Sequence, residues 1–127
     1  MADPLVLAFE RATVDPDAFH HREHLFVAWC YLRSMPLEEA VPRYVHHLRR
    51  LAAALGAPQK FHATVTWAYL VLLHEAMQTS PSSTLDELLA ARPEFLRQEA
   101  GILSAYYDRA ELDSAEARER FVLPKRR

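Results

Sequence analysis

The feature that most constrains what this chain can fold into is its near-lack of glycine, with two in 127 residues. Strands joined by tight turns depend on glycine for backbone conformations other residues avoid, so the count points to helices. Half of the residues are hydrophobic and a quarter charged, the balance of an ordinary globular chain. A chain this long is expected to form one domain with a single buried core. The expectation is therefore an all-α, single-domain bundle spanning 1–127, built from six to seven helices.

Apolar spacing and caps place those helices. Asp3-Pro4 is a helix start, with a side-chain acceptor as cap and proline at the first helical position. Leu5, Leu7, Ala8 and Phe9 continue that helix to about Arg11, and a loop follows from Ala12 to Ala18. From His21 to Arg33 the residues Leu25, Ala28, Trp29 and Leu32 recur at three and four, as on an amphipathic helix. Pro36 opens a longer helix, Leu37 to Leu55, with Tyr44, Leu48, Leu51 and Leu55 inward, and Gly56 closes it. After the turn Ala57-Pro58-Gln59, the stretch Phe61 to Met77 is the most apolar helix and is expected at the centre. Ser83 or Thr84 caps a short helix over Leu85 to Ala91. Pro93 starts another, read as running through Tyr106, and Ser114 caps a last one ending near Phe121.

Charge and cysteine content narrow the function classes. The net charge of −2 and pI near 6.4 lack the basic footprint of a nucleic-acid binder. The local excess Lys125-Arg126-Arg127 reads as a solvated tip. A single cysteine, Cys30, excludes an intramolecular disulfide, and its place between Trp29 and Tyr31 fits a buried, inert thiol. Charges at Asp3, Glu10 and Arg11 break any early signal-like run, and no stretch is apolar for long enough to span a bilayer. The sequence reads as a cytoplasmic protein that engages neither nucleic acid nor membrane.

The residues able to carry chemistry cluster at two helix starts. Phe19-His20-His21-Arg22-Glu23-His24 holds three of the seven histidines, and Lys60-Phe61-His62-Ala63-Thr64-Val65-Thr66-Trp67 repeats its layout of turn, aromatic and histidine. A helix advances about 100° per residue, so His24 shares a face with His21 and with His20. Neutral imidazoles at that spacing can converge on one metal ion. On the second stretch His62, Thr66, Tyr69 and Leu73 form one stripe. Together His21, His24 and His62 would make a three-histidine site for zinc, iron or copper with open positions for water or substrate. Without a metal, a histidine beside Thr66 and Tyr69 could serve as general acid or base. In either case Trp29 and Trp67 would wall the pocket or belong to the core. Ordinary helix-start histidines are the plain alternative, and no nucleophile elbow, phosphate loop or dinucleotide fingerprint is present.

Phe19-x-His21-x-x-His24 followed by Ala28-Trp29, then Phe61-His62-x-Thr64 and Ala117-Arg118-x-x-Phe121-Val122-x-Pro124, resembles an uncharacterised family of small all-helical bacterial proteins. The resemblance implies that His21, His24 and His62 belong to one site, and it implies no reaction. The chain departs from that pattern at Lys125-Arg126-Arg127, which stands where a longer acidic, proline-bearing tail is expected. Two functions follow. One is a small-molecule site, metal-dependent or not, with His21, His24, His62 and Tyr69 as reacting groups and Trp29, Thr66 and Trp67 lining it. The other is a non-catalytic binding or regulatory module with structural histidines, whose apolar faces serve a partner or a homodimer.

Overall fold

The computed structural model describes residues 3–97 and 101–125. It is all-α: seven α-helices and three 3-10 segments, with no strand among the described residues. No helix among them is long and apolar enough to cross a membrane. The chain divides between Phe61 and His62 into two compact units.

The first unit contains α1 (Pro4–Arg11), α2 (His21–Ser34) and α3 (Leu37–Ala54). The Asp3 carboxylate accepts the Leu5 N–H at 2.8 Å, giving α1 the side-chain cap its sequence signals. The helix stops at Ala12, which takes the left-handed conformation at φ +57°, and the Thr13 N–H closes back on the Ala8 carbonyl. Glu23 reaches back to accept the His20 N–H at 2.8 Å, and so secures the start of α2. Gly56, at φ +74°, turns the chain out of α3 into a 3-10 turn over Pro58–Lys60.

The apolar stripe of α2 packs as its spacing predicts: Leu25, Ala28, Trp29 and Leu32 are all buried, joined by Val27 and Tyr31. α1, α2 and α3 pack on one another around Phe9, which is fully buried. Its ring lies 5.1 Å from Tyr44, 6.0 Å from Phe19 and 6.2 Å from Tyr31. Removing such a side chain from water contributes roughly 1.5–3 kcal/mol, before the further gain from aromatic pairing. One inward assignment on α3 is corrected. Tyr44 and Leu51 are buried, but Leu55 is exposed, because the helix ends at Ala54 and the chain is already turning towards Gly56.

The second unit contains α4 (Ala63–Thr79), α5 (Leu85–Ala91), 3-10 segments over Pro93–Leu96 and Gly101–Ala105, and the short helices α6 (Arg109–Asp113) and α7 (Ala115–Glu119). Thr84 caps α5 by accepting the Glu87 N–H at 3.2 Å, and Ser114 caps α7 through Ala117 at 3.1 Å. Ala68, Leu103, Tyr107 and Leu112 form a buried cluster, with Val65, Tyr69, Leu72, Ile102 and Val122 packed against it.

Three sequence expectations change in this unit. α4 begins at Ala63, so His62 is its cap and not a first-turn residue. The single helix expected from Pro93 through Tyr106 is two 3-10 segments, and Gln98, Glu99 and Ala100 lie outside the described residues. α6 was not anticipated; it forms because Asp108 and Glu111 each accept the other's backbone N–H, at 3.0 and 2.8 Å. On α7, Arg120 bonds Glu116 one turn away.

Thr64 ties the C-terminal segment to this unit. It is fully buried, donates its hydroxyl to the Arg120 carbonyl at 3.0 Å and accepts the Val122 N–H at 3.1 Å. Tyr107 adds a bond to the Val122 carbonyl, and Glu111 accepts the Lys125 N–H, both at 2.7 Å. Thr64→Val keeps the shape but strands a buried donor and acceptor. It is expected to cost about 1–3 kcal/mol in urea denaturation and to speed tryptic cleavage near Arg120, with Thr64→Ser close to wild type.

Candidate functional site

His62 holds the start of α4 in place. Its Nδ1 accepts the Val65 N–H at 3.2 Å, and its Nε2 lies 2.6 Å from the Leu112 carbonyl. An acceptor at Nδ1 and a carbonyl against Nε2 define one tautomer: a neutral ring with its proton on Nε2, donated to Leu112. The imidazole therefore caps one helix and holds the end of another fifty residues away in sequence. In this arrangement it has no lone pair left for a metal, because ligation needs the bare nitrogen that Val65 occupies.

The hydroxyls on the same stripe are also bonded to backbone. Thr66 donates to the His62 carbonyl at 2.7 Å, a bond within the first turn of α4. Tyr69 points its hydroxyl at the Arg97 carbonyl at 3.5 Å, and burial pushes its phenol above the usual range. Trp67 is half-buried, with its ring 6.1 Å from Phe121.

His21 and His24 belong to the first unit. His21 opens α2 and is half-buried. His24, one turn on, lies under Phe19 with ring centroids 4.4 Å apart, and the Tyr44 hydroxyl is 3.5 Å from its Nδ1 and 3.4 Å from its carbonyl oxygen. Burial, reinforced by the neighbouring His21, lowers its pKa to about 4 against the opposing pull of Glu23. His24 is thus a neutral imidazole at pH 7. Trp29 is buried, with the Arg33 guanidinium 4.5 Å above its ring. Cys30 is half-buried, where burial raises its thiol pKa and keeps it protonated.

Sequence reasoning missed a second polar group in this unit. The Tyr31 hydroxyl donates a short hydrogen bond to the Glu10 carboxylate, and burial together with that carboxylate drives the phenol far above its ordinary range. His47 packs its ring 6.2 Å from Phe9 and has a buried Nδ1 with no hydrogen-bond partner. Burial lowers its pKa, with the Glu10 carboxylate pulling the other way. Glu10 and Tyr31 stand 21 residues apart, and neither lies in a recognisable motif.

Among the described residues, no group of three or more histidine, cysteine, aspartate or glutamate side chains is placed to hold a metal ion. No family model matches the chain, and neither a curated protein nor a solved structure matches it.

Proposed function

We propose that the chain is a small non-catalytic helical binding module whose histidines maintain the fold. The observation that carries this reading is the double engagement of His62 by the Val65 N–H and the Leu112 carbonyl, which spends both ring nitrogens on backbone. Thr66 and Tyr69, the companions a reacting histidine would need, likewise face carbonyl oxygens. A helix start capped by histidine is rarer than one capped by serine, threonine or aspartate, but it satisfies the same orphan amide.

The second reading is a small-molecule site around His21 and His24, with zinc, iron or copper as its cofactor. One observation favours it: His24 is held neutral beside Tyr44, and His21, one helical turn before it, adds to the lowering of its pKa. Metal analysis separates the readings. Untagged protein dialysed against excess zinc and then against buffer is expected to retain far less than one equivalent, unchanged by His62→Ala. Near-stoichiometric metal that disappears in His21→Ala, His24→Ala or His62→Ala overturns the module reading.

A further inference from the structure

The chain carries 17 acidic residues, yet none between Ala40 and His74. Within the first unit that gap holds Arg43, His46, His47, Arg49, Arg50 and Lys60. On α3, Arg43, His46, His47 and Arg50 stand at i, i+3, i+4 and i+7, a spacing that gathers them on one side of the helix. Arg43, His46 and Arg50 are exposed. Arg49, beside this stripe, lies 4.2 Å above the Phe61 ring.

Three arginines of the second unit are paired with acids. Arg92 bonds Glu94 at 2.7 Å, Arg109 is 3.9 Å from Asp113, and Arg120 bonds Glu116. Among the described residues, no carboxylate lies within ion-pair distance of Arg43, Arg49 or Arg50. Glu39 sits one turn before Arg43, in the first turn of α3 where the helix dipole favours an acid, but makes no ion pair with it. Glu10 is the nearby acid, and its carboxylate already accepts the Tyr31 phenol; Arg50 reaches only its backbone carbonyl, at 3.5 Å.

We propose that the Arg43–His46–Arg50 face of α3 docks an acidic helical segment of a partner protein, an assignment that rests on the binding-module reading and names its partner. Guanidinium groups bind carboxylates in a bidentate fork, and two of them at i and i+7 match glutamates recurring at helical spacing on a facing helix. The stripe is only about 10 Å long, from seven residues at 1.5 Å each, too short to follow a nucleic-acid backbone through many phosphates. The rest of the chain is net negative, which disfavours a long polyanion further. Exposed pairs of this kind give association that weakens steeply with salt.

The test is fluorescence anisotropy with a labelled helical peptide carrying glutamates at i, i+4 and i+7. Arg43→Glu/Arg50→Glu is compared with Arg109→Glu, which reverses an exposed arginine that has an acidic neighbour. Arg43→Gln/Arg50→Gln serves as the milder pair should charge reversal disturb the fold. The expected result is at least a tenfold weaker Kd for both α3 pairs, no change for Arg109→Glu, and loss of wild-type binding on raising salt from 50 to 500 mM. No peptide binding, equal loss in Arg109→Glu, or tighter binding of a duplex oligonucleotide than of the peptide overturns the assignment. Such a result on metal-free protein leaves the module reading standing, whereas stoichiometric zinc removes that reading whatever the peptide does.

Discussion

His62→Ala is expected to destabilise the second unit by roughly 2–4 kcal/mol. The loss combines a helix cap worth about 1 kcal/mol with a stranded Leu112 carbonyl at about 1–3 kcal/mol. His62→Asn restores an acceptor for the start of α4 but cannot reach Leu112, so it is expected to recover about 1 kcal/mol. Trp29 lies in the first unit and Trp67 in the second, so urea denaturation followed in Trp29→Phe and Trp67→Phe backgrounds reports each separately. The loss belongs to the transition seen by Trp67. An unchanged midpoint in both backgrounds would show that neither hydrogen bond of His62 contributes to stability.

The second large effect is a pH dependence confined to the first unit. His24 has a folded-state pKa near 4 and an unfolded value near 6.5, so the unfolded chain binds more protons between those limits. Its neutral, buried form therefore gives full stability above about pH 6.5, and that stability declines as pH falls towards 4. The slope is about 1.4 kcal/mol per pH unit, and the total is roughly 3 kcal/mol. His24→Phe places an uncharged ring beside Phe19 and Tyr44 and is expected to reduce this slope in the Trp29-reported transition, leaving the contribution of His47, whose pKa burial also lowers. Wild-type stability that does not change between pH 6.5 and 4 would contradict the burial of the imidazole.

How much of this was legible in the sequence depends on the range of the interaction. Local signals read well: Asp3-Pro4, Gly56 and Ser114 each end or start a helix by chemistry within a few residues. The inward face of α2 also read well, because its apolar spacing is uninterrupted. Asp108-Arg109-Ala110-Glu111 is a capping box of the same local kind, legible in the sequence. The helix expected across Pro93–Tyr106 did not form as one piece. There the apolar spacing favours a helix, but Arg92 and Arg97 adopt extended or irregular backbone at each end of a single 3-10 turn.

The candidate site was less legible because its partners are remote. Histidine is an unusual cap, and nothing near His62 signals the Leu112 carbonyl fifty residues on. Glu10 and Tyr31 form the same kind of long-range pair. The burial of His24 follows from Phe19 and Tyr44, which come from a loop and a different helix. Histidine spacing along one helix cannot distinguish such a packed ring from a ligand.

The structural role of His62 is tested most directly by the ring nitrogens themselves. Long-range ¹H–¹⁵N correlation of the histidine rings at pH 7.5 is expected to show His62 as the neutral Nε2–H tautomer. Its Nδ1 should carry the shift of a hydrogen-bonded acceptor, and neither nitrogen should move on adding an equivalent of zinc. An Nδ1–H tautomer, or a zinc-induced shift at either nitrogen of His62, would contradict the account and return this residue to a ligand-binding site.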